Sequence, residues 1–222
     1  LAQRVSSMEE EAQGYREHLE EQRQKALLDP LTGLPNRAAW SERLEHEVGE
    51  WQQHGNSLLL AMLDLDHFKT VNDLLGHAAG DRILQNVTEI INLRIRVTDS
   101  LYRIGGEEFV VVLEGADLEQ AAHLAEQLRT LVDAKELVPE HAVTISLGVA
   151  QLRKSESPYD WLHRADAAMY RVGKAQEAEA LALLQGAPAV ANDLLRMRGI
   201  SPAVMRSLAD KELVEPCTVA HQ

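Results

Sequence analysis

Arg103-Ile104-Gly105-Gly106-Glu107-Glu108-Phe109 places two adjacent carboxylates on a glycine turn between apolar stretches. Leu101 to Ile104 and Phe109 to Leu113 read as the two arms of a hairpin, and Val110, Val111 and Val112 form a β-branched run suited to a buried sheet. The glycines permit positive φ and leave no side chain in the way, so backbone here can approach a phosphate-bearing ligand closely. Taken alone, the same pattern is an ordinary solvated turn. The remainder of the chain decides between the two.

A second carboxylate cluster lies upstream. Ser57 to Leu63 reads as a buried strand that ends in Asp64-Leu65-Asp66. Mg²⁺ prefers hard oxygen ligands and is commonly held by one or two protein carboxylates plus substrate phosphates, a demand that Asp64 and Glu107 satisfy together. Asp66 has two readings, a metal ligand or the cap of the next helix. The polar stretch from Phe68 to Asp81 contains Asn72, Gly76, Gly80 and Asp81. An amide offers a donor and an acceptor while a carboxylate accepts from ring N–H and exocyclic amine, so Asn72 with Asp81 suits a guanine edge. Both residues also suit helix caps.

These residues resemble the GGDEF domain family of diguanylate cyclases, in its GGEEF form. The match runs from about Asp29 to Tyr170. It takes in Asp29-Pro30-Leu31-Thr32-Gly33-Leu34-Pro35-Asn36-Arg37, Asp64-Leu65-Asp66-His67-Phe68-Lys69, Asn72-Asp73, Gly76-His77, Gly80-Asp81 and the glycine turn, in that order. The resemblance implies condensation of two GTP molecules to cyclic di-GMP with release of pyrophosphate, by a homodimer in which each domain binds one GTP. It implies that Asp64, Glu107 and the Leu65 carbonyl bind Mg²⁺, two ions per GTP site, with Mn²⁺ as an alternative. Glu108 becomes a further metal or proton-accepting group. Asn72 and Asp81 hold guanine, Gly105 and Gly106 admit the triphosphate, and the backbone near His67 and Phe68, with Lys69, faces its phosphates.

Arg96-Val97-Thr98-Asp99 precedes the turn, with five residues between Asp99 and Gly105. In the family this offset resembles the inhibitory site for cyclic di-GMP; a surface ion pair is the plainer reading. Arginine can fork onto a phosphate and the acid can accept from guanine N–H groups. The chain departs from the family in the helix Trp161 to Lys174. Gly173 and Glu177 stand where basic residues usually face the triphosphate, and Lys174 comes one residue late, a rotation of about 100° on a helix. A catalytically weak module that binds GTP or cyclic di-GMP is therefore the rival to an active cyclase.

Three segments organise the chain. Residues 1 to 28 read as one charged helix with Val5, Met8, Ala12, Tyr15, Leu19, Gln22 and Ala26 at alternating three- and four-residue steps, the spacing of a parallel coiled coil that pairs two cyclase domains. A lone solvated helix is the alternative. Residues 29 to 174 alternate helix, strand, helix, helix, hairpin, helix, strand and helix, with helices beginning near Asn36, His67, Asp81, Asp117 and Pro158 and a last core strand from Val143 to Ala150. This is an α/β (α+β) sandwich around a central, mostly antiparallel five-stranded sheet, like the palm of nucleotide cyclases and polymerases. Trp40 and Trp51 read as cover for its core. Residues 175 to 222 read as a helical tail that packs or contacts protein.

With 45% hydrophobic residues, the 222-residue chain can bury one substantial core. The formal charge of -13 argues against nucleic acid as a partner, since phosphate backbones require a basic surface. Cys217 is the single cysteine, which excludes an intramolecular disulfide and suits a reducing, cytoplasmic setting. No apolar run approaches the roughly 18 residues of a membrane span, so no membrane contact is expected in this fragment. Because Leu1 takes the place of an initiating methionine, an upstream sensory domain is expected beyond it.

Overall fold

The apolar run after Ser57 becomes β1 (Leu58–Leu65) in the computed structural model, which describes residues 2–55, 57–138 and 142–185. The hairpin arms are β2 (Ser100–Arg103) and β3 (Glu108–Glu114), and β4 spans Ile145–Gln151. They form one sheet in the order β2-β3-β1-β4, with every neighbouring pair antiparallel. The antiparallel α/β sandwich is as expected, but the sheet has four strands rather than five.

The helices among the described residues are α1 (Ala2–Ala26), α2 (Arg37–His54), α3 (Phe68–Leu75), α4 (His77–Asn92), α5 (Leu118–Ala134) and α6 (Pro158–Gln185). Of these, α2 to α6 cover the two faces of the sheet, which is why β1 and β3 read as continuous apolar runs instead of alternating ones. Leu59, Ala61, Leu63 and Leu65 of β1 join Phe109, Val111 and Leu113 of β3 under α3, α4 and α5. Leu58, Leu60 and Met62 join Val110 and Val112 on the opposite face, beneath Trp40 of α2 and Trp161, Ala165 and Met169 of α6. Trp40 tilts against Tyr102 with ring centroids 5.2 Å apart, and Trp51 packs partly buried on the same cluster. Both tryptophans thus cover the core. Trp161 satisfies its buried N–H by donating to the Ala150 carbonyl at 2.8 Å.

The segment between α1 and α2 is tied by one amide. Asn36 Oδ1 accepts from the Ala38 and Ala39 N–H groups and so caps α2, while Asn36 Nδ2 donates to the Ala26 and Leu28 carbonyls at the end of α1. A cap of this type contributes about 1 kcal/mol, and here it also joins two helices. On α1, Met8, Tyr15 and Leu19 are exposed in the single chain; the side chain of Val5 lies outside the described residues.

One helix start and one strand start differ from the sequence reading. Asp117 caps α5 with a full capping box to Gln120, as its position suggests, but α4 starts at His77 rather than at Asp81. Gly76, at φ 82°, ends α3 and begins α4 without an intervening loop, which leaves Asp81 inside the helix. The strand expected from Val143 starts at Ile145, where pairing to Leu65 begins. Beyond α6, the break expected at Gly186 and the helices expected from Ala189 and Ala203 lie outside the described residues.

Gly148 fixes the closest approach between helix and sheet. A Cβ there would stand 2.1 Å from the Ala165 carbonyl oxygen and 2.2 Å from the Met169 nitrogen, both backbone atoms of α6 that cannot rotate away. Gly148→Ala should therefore lift α6 from the sheet and destabilise the fold by about 1–3 kcal/mol, read as a lower Tm. A melting temperature equal to the parent's would show that α6 does not rest on this contact.

Candidate active site

Antiparallel pairing brings the two acidic clusters together. Asp64, near the end of β1, is the cross-strand partner of Glu108 at the start of β3. At a period of two, Asp64 faces the same side as Leu60 and Met62, and Glu108 the same side as Val110 and Val112. Leu65 then donates its N–H to the Glu107 carbonyl at 3.3 Å, which binds the turn to the end of β1. Like charges opposite one another are unfavourable in a sheet. Burial, followed by the charges of Glu107, Glu108, Asp66 and Asp166, pushes the Asp64 carboxyl up from 3.8 to about 7. Burial and Glu108 also raise Glu107.

Among the described residues, no three His, Cys, Asp or Glu side chains converge as a complete metal cage. A divalent ion of the Mg²⁺ type does not require one, because it takes one or two carboxylates and completes its shell with water and phosphate. Hard oxygens, a surplus of negative charge and an Asp64 that resists ionisation when no cation is near all fit such an ion.

The glycine turn achieves its shape differently from the sequence expectation. Neither Gly105 nor Gly106 has positive φ. A Cβ at Gly105 would lie 2.1 Å from Glu108 Oε2, so a side chain there would push the Glu108 carboxylate from its present place, whereas Gly106 opens onto free space. The left-handed conformation appears instead at His67, the N-cap of α3, with φ 55° and ψ 31° and no side-chain cap bond. Asp66 is therefore not the helix cap. Its carboxylate accepts from Thr144 Oγ1 at 2.6 Å and Ser146 Oγ at 2.7 Å.

Asn72 and Asp81 come together because α3 and α4 are separated only by Gly76. The Asn72 amide lies over Gly80, where a Cβ would stand 2.0 Å from Asn72 Oδ1, and Asp81 is the next, exposed residue. Phe68 is buried and Lys69 exposed at the start of α3. Lys174 is in α6, its side chain outside the described residues. Arg96 and Asp99 do not make the plain ion pair. Asp99 Oδ2 accepts from the Arg96 backbone N–H at 2.8 Å and Asp99 N–H donates to the Arg96 carbonyl at 3.0 Å, so the exposed guanidinium stays outside this turn.

Two features were missed in the sequence. Asp166 of α6 contributes to the charge around Asp64; the clue was an acid directly beside Ala165, on a helix whose apolar face meets the sheet. Arg103 is the other. Its Nη1 pairs with Asp29 at 2.8 Å and its Nη2 donates to the Gly106 carbonyl at 2.7 Å, so one side chain links the loop after α1 to the glycine turn. Asp29 also accepts from the Thr32 N–H and hydroxyl, and these partners hold its carboxyl below the usual range against the opposing effect of burial.

A two-sided antiparallel sheet with carboxylates at the tips of its central strand and hairpin defines a nucleotide-cyclase type of domain. The sequence profile for "Diguanylate cyclase, GGDEF domain" matches residues 26–179, and the chain belongs to that family. It is 47% identical over 181 residues to the diguanylate cyclase DgcP of Pseudomonas aeruginosa, covering 79% of this chain and 26% of DgcP. It is 36% identical over 152 residues to the diguanylate cyclase DgcS of Shewanella oneidensis, covering 68% and 51%. The chain thus spans about a quarter and about half of these relatives. Among solved structures, the coiled coil and GGDEF domain of DgcB from Caulobacter crescentus in complex with c-di-GMP matches with TM-score 0.72 and 32% identity, covering 78% of this chain and 93% of that one. The cyclase SiaD of Pseudomonas aeruginosa, solved with its activator SiaC, matches with TM-score 0.65 and 36% identity, covering 78% and 68%.

A carboxyl whose folded pKa exceeds its unfolded value favours folding while protonated. The contribution of Asp64 is present below pH 3.8 and lost as pH rises through about 7. Without divalent cations, Asp64→Asn should melt at nearly the parent's temperature at about pH 4 and above it at about pH 8. A Tm difference that does not change with pH would refute the buried-acid account.

Proposed function

We propose that this chain is a diguanylate cyclase domain that condenses two GTP molecules to cyclic di-GMP and pyrophosphate as a homodimer, one GTP to each domain. The observation that carries this reading is the meeting of Asp64 with Glu107 and Glu108, where repulsion and burial raise Asp64 to about 7. Asp64, Glu107 and the Leu65 carbonyl hold the metal, two Mg²⁺ or Mn²⁺ ions per GTP site. When bound, these ions neutralise phosphate charge and make the ribose 3′-hydroxyl a better nucleophile. Asn72 and Asp81 hold guanine. Gly105 and Gly106 leave room for the triphosphate, whose phosphates face the backbone of His67 and Phe68 and the ammonium groups of Lys69 and Lys174. Glu108 is positioned as a further ligand or as the acceptor of the attacking hydroxyl's proton. In-line attack of each ribose 3′-hydroxyl on the α-phosphorus of the other nucleotide then forms the two phosphodiester bonds of the ring, and two pyrophosphates leave.

The exposed face of α1 at Met8, Tyr15 and Leu19 supports pairing of two copies, and DgcB supplies a solved relative containing a coiled coil. Arg96 and Asp99 are assigned to product binding, because their backbone turn leaves the guanidinium fork available for a phosphate. Among the described residues no helix is long and apolar enough to cross a membrane; a cytoplasmic setting completes the proposal. The second reading, a weak binding module, is favoured by Gly173 and Glu177 alone.

Incubation with GTP and Mg²⁺, followed by chromatography, should yield cyclic di-GMP, and Glu107→Gln should abolish it while preserving the circular dichroism spectrum. GTP binding without product in the parent would select the module, and full activity in folded Glu107→Gln would remove the metal assignment. Arg96→Ala should weaken cyclic di-GMP binding in calorimetry and let more product accumulate before the reaction slows. Unchanged product affinity would place feedback elsewhere.

A further inference from the structure

Asp66 lies between the proposed metal residues and the turn that faces the phosphates, yet its carboxylate is directed elsewhere. Oδ2 accepts from Thr144 Oγ1 at 2.6 Å, Oδ1 accepts from Ser146 Oγ at 2.7 Å, and the Asp66 N–H donates to the Thr144 carbonyl at 3.0 Å. Three bonds therefore fasten this one residue to β4 and its lead-in. The β1–β4 ladder has its last paired residues at Leu65 and Ile145, so they extend the attachment beyond the end of the strand. The next residue, His67, is in the left-handed region that a side chain with a Cβ rarely occupies. No side-chain cap bond steadies the start of α3. The strained conformation is held from its two sides, by the Asp66 anchor before it and by buried Phe68 after it.

We propose that Asp66 is a positioning residue for GTP: its bonds to Thr144 and Ser146 lock the His67–Phe68 turn so that the backbone N–H groups meet the triphosphate. It neither binds the metal nor touches the nucleotide. This rests on the cyclase reading and adds a requirement that reading lacks, namely that Asp66 acts through hydrogen bonding and not through its charge. Asparagine can meet that requirement. Its carbonyl accepts from one hydroxyl, and its NH₂ donates to the other, because a hydroxyl can reverse its role.

Calorimetric competition with two probes separates the possibilities: the α,β-methylene analogue of GTP, which carries the full triphosphate but cannot react, and GMP, which lacks the outer phosphates. Asp66→Ala should weaken the analogue on the order of tenfold while GMP changes by less than about twofold. Asp66→Asn should stay within about threefold of the parent for both. Ser146→Ala, which removes one of the two hydroxyl donors, should shift in the same direction as Asp66→Ala and decides the matter if the latter fails to fold. An Asp66→Asn variant as weak as Asp66→Ala would show that charge is required and overturn the proposal. So would equal loss of GMP and analogue, or no loss with either alanine variant. A parent that binds neither probe would remove the cyclase reading together with this one, whereas a binding parent with unaffected variants removes this one alone.

Discussion

Repulsion between Asp64 and its cross-strand partner Glu108 is the constraint around which the domain is arranged. Pairing of β1 with β3 opposes these residues, and the register cannot slip to separate them. A shift of one residue would turn Leu59, Ala61 and Leu63 from one core to the other and would carry every β3 partner with them. The apolar packing of the five pairs from Leu59↔Leu113 to Leu63↔Phe109 thus forces an electrostatically unfavourable contact at the end of the ladder. Such a contact is tolerated because its cost falls on the protonation of Asp64 and Glu107, both of which burial and neighbouring carboxylates raise, and because a cation reverses its sign. The free domain is poised for a divalent ion for the same reason that it tolerates the carboxylates poorly without one.

The glycine turn is held to the rest of the chain by two routes that do not share atoms. One is the main-chain bond from the Leu65 N–H to the Glu107 carbonyl; the other is Arg103, which grips the Gly106 carbonyl and Asp29 at once. Arg103 Nε is buried without a hydrogen-bond partner, a cost accepted in exchange for a charged link that spans the sheet edge. Asp29 begins the loop whose far end is Asn36, and Asn36 caps α2 while bonding the last carbonyls of α1. Short, directional bonds thus run from the end of α1 to the turn that bears Glu107.

Much of this was legible in the chain because the informative signals were local. β-branched runs, the helix starts near Asn36 and Asp117 and the order of the acidic clusters each depend on a few adjacent residues. The sheet's antiparallel character followed from the hairpin. What could not be read depended on residues far apart. Asp66 looked like a helix cap because it precedes a helix, and only the fold reveals Thr144 and Ser146 as its partners, 78 and 80 positions away. Arg103 and Asp29, separated by 74 residues, were both quoted within motifs, yet neither declared the other. The missing fifth strand and the early start of α4 were errors of a different kind. Asp81 follows two glycines and resembles a cap, but Gly76 alone makes the turn.

Three glycines shape this site, and only one acts through its conformation. Gly76 supplies a left-handed φ that lets α3 and α4 adjoin. Gly80 supplies empty space into which the Asn72 amide settles, and Gly105 supplies the same for the Glu108 carboxylate. A side chain at either of the latter positions would leave the backbone free to adopt its present angles and would nevertheless displace a polar group by ångströms. At both positions an absent Cβ leaves the room in which an amide or a carboxylate rests. The acids and the amide indicate what chemistry the site can perform; the glycines beneath them determine where it is performed.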